Sequence, residues 1–220
     1  MATEALDLPF EEAIAFFRQK VRIPTRRWDD LWQHAHARGF MVAGAMRDGL
    51  LADFQAAIAK AIEQGTTLEE FRKDFDRIVA AHGWSYNGGR NWRTKVIWQT
   101  NLTTAYSAGR YAQMTDPDVL KARPFWQYRH GGSRDPRPHH LSWDGLVVRA
   151  DDPWWATHYP PNGWGCSCWV KPLSERQMRA LGKASPDPAP QDGSRPYVDR
   201  QTGDVLAVPE GIDPVWAYSV

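Results

Sequence analysis

HHLSWDGLVVRADDPWWATHYPPNGWGCSCWVK, residues 139–171, decides how the rest of the chain is read. It contains both cysteines, three of the seven histidines and five of the twelve tryptophans. Its centre, YPPNGWGCSC, is made of turn formers: Pro160 and Pro161 fix φ, while Asn162, Gly163 and Gly165 tolerate left-handed φ. Such a loop has no backbone ladder of its own. Tryptophan packing or a metal ion must pin it, and Trp154, Trp155 and Trp164 are the expected clamps, at least two of them buried against the segment 96–113.

The metal reading rests on Cys166-Ser167-Cys168. Structural zinc sites take four nitrogen or sulfur ligands, usually with two to four residues between paired cysteines. A C-x-C pair is tighter. On a regular strand its sulfurs would face opposite ways, but directly after the glycine turn both can converge. A disulfide between them would close a small, strained ring. Three readings follow: metal ligands, reduced thiols at a buried turn, or a redox or nucleophilic pair. With two cysteines only, histidines must complete a tetrahedral set, and Cys166, Cys168, His140 and His158 are the candidates, with His139 as the alternative. Four protein ligands would leave no open position, so the expected ion is structural Zn2+, with Asp144 or Asp152 orienting a ligating imidazole.

A longer run, SRDPRPHHLSWDGLVVRADDPWWATHYPPNGWGCSCWVKPLS (133–174), resembles the signature of the phage Mu protein F family, minor head or head-morphogenesis proteins of tailed phages. The resemblance is carried by Arg137 to His139 followed by Asp144-Gly145, by the DDPW run at 151–154, by PPNGWGCSC and by 171–174. VIWQTNLTTAYSAGRYAQ (96–113) resembles the family's helix ahead of the signature, and FFRQKVRIPTRRWDDL (16–31) extends the likeness over nearly the whole chain. The family commonly has Cys-Arg-Cys at the turn, whereas Ser167 stands here. The resemblance implies a virion minor head protein acting in capsid assembly, inside the head or at the portal, and present in the host cytoplasm during assembly. It implies the portal or the major capsid protein as partners, with self-association and non-specific contact with phage DNA as further options.

Composition sets outer bounds. At 220 residues with 42% hydrophobic side chains the chain can build a real core, and no stretch approaches the ~18 apolar residues of a membrane span. The opening MATEALDLPFEEA lacks the basic and apolar regions of a signal peptide. The net charge of +1 hides an uneven layout: residues 86–140 carry 9 basic and 3 acidic groups, the one segment biased towards an acidic partner.

Helical periodicity dominates the first part. In 9–21, Ile14, Phe17 and Val21 share a face, Glu11 and Glu12 suit the N-terminal pole, and Pro24 ends the helix. His34 and His36, two residues apart, read as ordinary residues and not a metal pair. From 40 to 64 a long helical pattern carries Leu50, Phe54, Ile58 and Ile62 on one face; Gly39, Gly44 and Gly49 within or beside it suggest close packing or a break near Asp48. Thr67 with Glu70 is a capping box opening a helix that presents Phe71, Phe75 and Ile78 and stops at Gly83. The two helices should form a hairpin.

The helix expected at about 90–114 places Ile97, Asn101, Thr104, Ala108 and Tyr111 on one face, a polar seam flanked by small residues. Arg110 is the residue there able to clamp a carboxylate, that of Asp144 or of another chain. PFWQYRH (124–130) should be a short strand pairing with 147–149 and 167–170, and the loop 130–140 an exposed tip with Arg134 and Arg137 available to phosphate or carboxylate. A short helix from Pro172 to Leu181, capped by Ser174, follows. The expected fold is α+β: an N-terminal helical region (1–85), a small mixed domain with short strands around the Trp/Gly/Pro-rich loop (86–181), a flexible linker (182–196) and a C-terminal segment (197–220).

A metal-dependent hydrolase or nuclease would have to use His139, His140, Asp144, Asp151, Asp152 and His158. No H-x-x-x-H or H-E-x-x-H spacing supports it, and an enzyme needs an open coordination position. The adhesive inventory of tryptophans favours a structural protein with no catalytic residues over this reading and over a DNA-contacting module.

Overall fold

The computed structural model describes residues 9–31, 33–200 and 202–218, excluding the side chains of Gln33, His34 and His36. The opening residues 1–8 and the side chains of His34 and His36, both read above, therefore lie outside the description. The fold is α+β, as expected. The chain forms two compact units, one from residues up to Leu31 together with Ala35–Arg110, the other chiefly from Tyr111 onward. The division falls inside a helix and not at 85/86, because helical periodicity runs unbroken from 90 to 114 while the packing partners change along it.

In the first unit, α1 (Glu11–Arg18) buries Ala13, Ile14 and Phe17. A two-residue parallel pairing joins β1 (Val21–Arg22) to β2 (Gly39–Phe40), the latter directly after α2 (Gln33–Arg38). The long pattern at 40–64 becomes helix only in α3 (Asp48–Gln64). Gly44 is the reason: its φ of +86° is left-handed backbone, incompatible with a helix interior, so the chain breaks ahead of Asp48. α4 (Leu68–His82) opens with the Thr67–Glu70 capping box and closes on left-handed Gly83. Phe54 of α3 meets Phe75 of α4 with ring centroids 5.5 Å apart, which makes the hairpin.

α5 (Arg90–Met114) satisfies its polar seam internally. Asn101 Nδ2 donates to the Ile97 carbonyl at 2.9 Å, and the Thr104 hydroxyl to that of Thr100 at 2.8 Å. The small residues do allow close approach: a Cβ on Gly109 would stand 2.7 Å from the backbone nitrogen of Ala13.

The second unit continues with α6 (Pro117–Ala122), capped by Asp116. β3 (Phe125–Arg129) is the centre of a three-stranded antiparallel sheet between β4 (Val147–Arg149) and β5 (Trp169–Leu173), with α7 (Pro138–Ser142) and α8 (Trp155–His158) in the connections. β5 runs to Leu173, so the following helix, α9 (Glu175–Ala180), starts later than the proline at 172 suggests, with Ser174 and Gln177 forming its capping box. A hairpin of β6 (Ser194–Val198) and β7 (Val205–Pro209) precedes a 3-10 turn at Pro214–Trp216.

The segment 182–196 is not a free linker. Asp187 brackets the outer edge of β4: its amide donates to the Val147 carbonyl at 2.7 Å and its carboxylate accepts from the Val147 amide at 2.8 Å. Asp192 accepts from the Trp143 indole at 2.9 Å. These bonds leave no trace in hydrophobic periodicity, so the prolines and glycines dominate the sequence signal. Among the described residues no helix is long and apolar enough to cross a membrane.

Candidate metal centre

Residues 139–171 wrap a core of rings. Trp126, Tyr128, Trp143, Trp154, Trp155 and Tyr159 are all buried, and most of their contacts are edge-to-face, as ring quadrupoles favour. Trp155 donates its indole N–H to the Arg149 carbonyl at 2.9 Å. Two of the three expected clamps, Trp154 and Trp155, are buried, and Trp164 is half-buried with its ring 5.5 Å from that of Trp216. Their partners within this unit are other aromatic rings, with Tyr111 in the last turns of α5 reaching Trp126 and Tyr159.

Against this core the structure gathers three of the four proposed ligands. Candidate ligand atoms of His140, Cys166 and Cys168 all lie within 4.8 Å of one another, all three residues are buried, and the cysteines are unpaired thiols. The two sulfurs stand 3.7 Å (Cys166) and 3.6 Å (Cys168) from His140 Nδ1. Zinc bonded at ~2.3 Å to sulfur and ~2.0 Å to nitrogen in a tetrahedron sets sulfur–nitrogen edges of about 3.6 Å, so the spacing fits such an ion. Gly165, at φ +70°, supplies the turn that lets both sulfurs face one point.

The imidazole is pre-set for this. Its Nε2 lies 2.9 Å from the Gly211 carbonyl, which can only accept, so Nε2 carries a proton and Nδ1 is the atom that faces the sulfurs. The orienting group is thus a backbone carbonyl and not Asp144 or Asp152 as expected. Asp144 accepts from Arg129 Nε at 3.1 Å and the His130 amide at 2.8 Å, and Asp152 caps the Trp154 amide at 2.9 Å. Both acids are spent on local turns. Asp151 pairs with Arg149 at 2.6 Å on the surface.

The thiols share their surroundings unequally. Cys168 is pushed towards the thiolate by the Cys166 thiol, against the cost of burial, with His140, the Tyr128 hydroxyl and the Gly131 amide adding to the effect. Cys166 is pushed the other way by that same hydrogen bond, by burial and by the neighbouring charge. Tyr128, whose hydroxyl donates to Asn162 Oδ1 at 2.9 Å, is held neutral, chiefly by burial.

His158 does not join the set. Its Nδ1 faces the Trp154 carbonyl at 3.0 Å, its ring stacks on Trp154 at 4.4 Å, and burial lowers its pKa to about 4. It is a neutral core histidine, placed there by the helical turn that carries Trp154. His139 is also outside the group and packs near Trp143. Asn101 and Arg110 belong to the first unit, Asn101 bonded within its own helix and Arg110 exposed. Arg137, expected at an exposed tip, instead donates to Asp213 at 2.8 Å and to the Trp164 carbonyl at 3.1 Å. Arg134 is exposed.

Gly211 and Asp213 contact the site, a part that the sequence reading did not give them. The run Gly211-Ile212-Asp213-Pro214 carried a visible signal, a glycine followed by a capping acid and a proline, but nothing local ties it to residues 140–168. Among the described residues, no other group of three or more histidine, cysteine or acidic side chains could hold a metal ion.

Comparison with known proteins agrees with the resemblance read from the signature. The family described as Phage Mu protein F like protein matches residues 52–171. The chain is 37% identical over 192 residues, 81% of its length, to the protein named "Putative capsid assembly protein F" of Escherichia phage Mu, and covers 43% of that protein. It is 37% identical over 168 residues, 72% of its length, to the Mu-like prophage FluMu F protein of Haemophilus influenzae, and covers 40% of it. The chain thus spans about two fifths of the length of the curated relatives it matches. No solved structure matches it.

Proposed function

The chain belongs to the phage Mu protein F like family, and from that premise we propose that it acts in the assembly of a phage head as a non-enzymatic minor head component. The observation that carries this reading is the 37% identity, over 81% of the chain, to a Mu protein whose name assigns it to capsid assembly. The site chemistry supports it. The acids that a hydrolase would need, Asp144, Asp151 and Asp152, hold turns or surface pairs, and none lies in the His140–Cys166–Cys168 group. We place the protein inside the head or at the portal, with the portal or major capsid protein as its partner. Self-association and sequence-blind contact with DNA are compatible additions.

We further propose that His140, Cys166 and Cys168 hold a structural Zn2+, with the fourth position, which His158 was expected to fill, left to water or to a ligand from another chain. Such an ion would tie two loop segments whose ordering is otherwise entropically costly.

Deleting the gene from the genome that encodes the chain should leave heads absent or misassembled by electron microscopy. Complementation with the wild-type protein should restore them, and a Asp144→Asn/Asp152→Asn variant that folds should complement as well. Normal heads after deletion, or nucleic-acid or peptide hydrolysis that disappears in that variant, would overturn the reading.

A further inference from the structure

The bond that orients the His140 imidazole is one of a group that joins the residues around the ligand set to segment 211–216. His140 Nε2 donates to the Gly211 carbonyl at 2.9 Å. Two residues on, the Asp213 amide donates to the Asn162 carbonyl at 3.0 Å. The Asp213 carboxylate accepts from the Trp164 amide at 2.9 Å and from Arg137 at 2.8 Å. The approach is so close that a Cβ on Gly163 would stand 2.3 Å from Asp213 Oδ2, and one on Gly211 would stand 2.6 Å from both His139 and Trp143. Past this clasp, Ile212, Val215 and Trp216 are buried in the same aromatic core.

The clasp therefore grips the two segments that supply the ligands, 137–140 on one side and 162–166 on the other. We propose that it makes the ligand set and the docking of residues 211–216 one coupled unit: a divalent zinc-class ion at His140, Cys166 and Cys168 locks the C-terminal segment into the core, and loss of the ion loosens it. This rests on the metal reading above.

The physical link is the imidazole. Withdrawal of electron density at Nδ1 by a cation makes Nε2–H a stronger donor, which tightens its bond to Gly211. The coupling is reciprocal: whatever factor the ion adds to docking, docking adds to the ion's affinity. Release would uncover Ile212, Val215 and Trp216, an apolar surface that the locked form hides. Thiolates and an imidazole select zinc-class ions over magnesium or calcium, which prefer oxygen ligands.

The test is amide hydrogen exchange on the full chain, stripped with a chelator and then given zinc alone, with bound zinc measured in the same samples. Near-stoichiometric zinc that slows exchange in 211–216 by about tenfold or more, while α3 and α4 stay unchanged, is the expected result. Asp213→Asn, which touches no ligand, should weaken zinc binding by about tenfold, in the range found for groups that support metal ligands. Magnesium should do nothing. Zinc that binds without protecting 211–216 would overturn the coupling and leave the metal site standing. No zinc binding at all would overturn both. The exchange comparison uses the wild-type chain alone, so it decides the matter even if Asp213→Asn does not fold.

Discussion

The helical unit and the tryptophan-rich unit solve the same problem, burying enough surface to stay folded, by different means. In the first, Leu50, Phe54, Ile58 and Ala61 step along α3 and meet Phe71, Phe75 and Ile78 of α4, so one repeating spacing generates the core. In the second, Trp126, Tyr128, Trp143, Trp154, Trp155 and Tyr159 come from strand, short helix and loop, and no spacing relates them. Both enclose polar side chains: Lys20, Thr25, Asp29, Thr94 and Thr104 are buried in the first, and Gln127, His140, His158, Asn162 and Asp199 in the second. One repeat sets the periodic core, whereas the irregular one rests on contacts between particular rings.

The largest expected effect tests a buried charge-bearing group of the helical unit, Lys20. Its ammonium group donates to the Ala37 carbonyl at 2.6 Å and the Gly39 carbonyl at 3.3 Å, and burial lowers its pKa to about 7. Unfolded, the side chain titrates near 10.5, so between pH 7 and 10.5 the unfolded chain holds more protons than the folded one. Stability therefore rises with pH across that window, and the gain is lost as pH falls back through 7. The difference amounts to at most about 5 kcal/mol. Chemical denaturation of wild type and Lys20→Met should show the wild type gaining relative to the variant as pH rises. Parallel pH profiles would mean that the lysine reaches water and that the helical core encloses no charge.

Next comes the aromatic core itself. Trp155→Ala should cost about 3–5 kcal/mol, and Phe54→Ala in the helical unit a similar amount. The consequences should differ. Loss of Trp155 should erase much of the near-ultraviolet circular dichroism, because it removes contacts to Trp126, Trp154 and Tyr159 together, along with the indole's hydrogen bond to the Arg149 carbonyl. Phe54→Ala should leave that signal in place. Equal spectral losses in both variants would break the contrast drawn here.

The smallest effect concerns local signals. Thr67→Ala removes the hydroxyl half of the capping box and should cost about 1 kcal/mol, read as a small drop in the denaturation midpoint of the helical unit. A cost several times larger would mean that Thr67 supports more than the start of α4.

How far the sequence carried depended on the range of the forces involved. Capping boxes at Thr67 and Ser174, the hairpin of α3 and α4, and the pairing of β3 with its two neighbours were legible, because each is written in residues a few positions apart or in a plain alternation. The glycines of 40–64 left close packing and a break near Asp48 both open, since the presence of a glycine does not state its φ.

By itself, then, the sequence determined the α+β class, the family, the capping boxes at Thr67 and Ser174, and a four-residue ligand set of which three residues come together. Only the tertiary structure decided that His158 turns into the tryptophan core and away from the sulfurs, that Asp187 straps the edge of β4, and that Gly211 rather than an aspartate orients His140. The physical reason is range. Periodicity and capping are set by neighbours along the chain, while the partner of a buried imidazole is chosen by whichever backbone atom the packed core brings within 3 Å, here one 71 residues away.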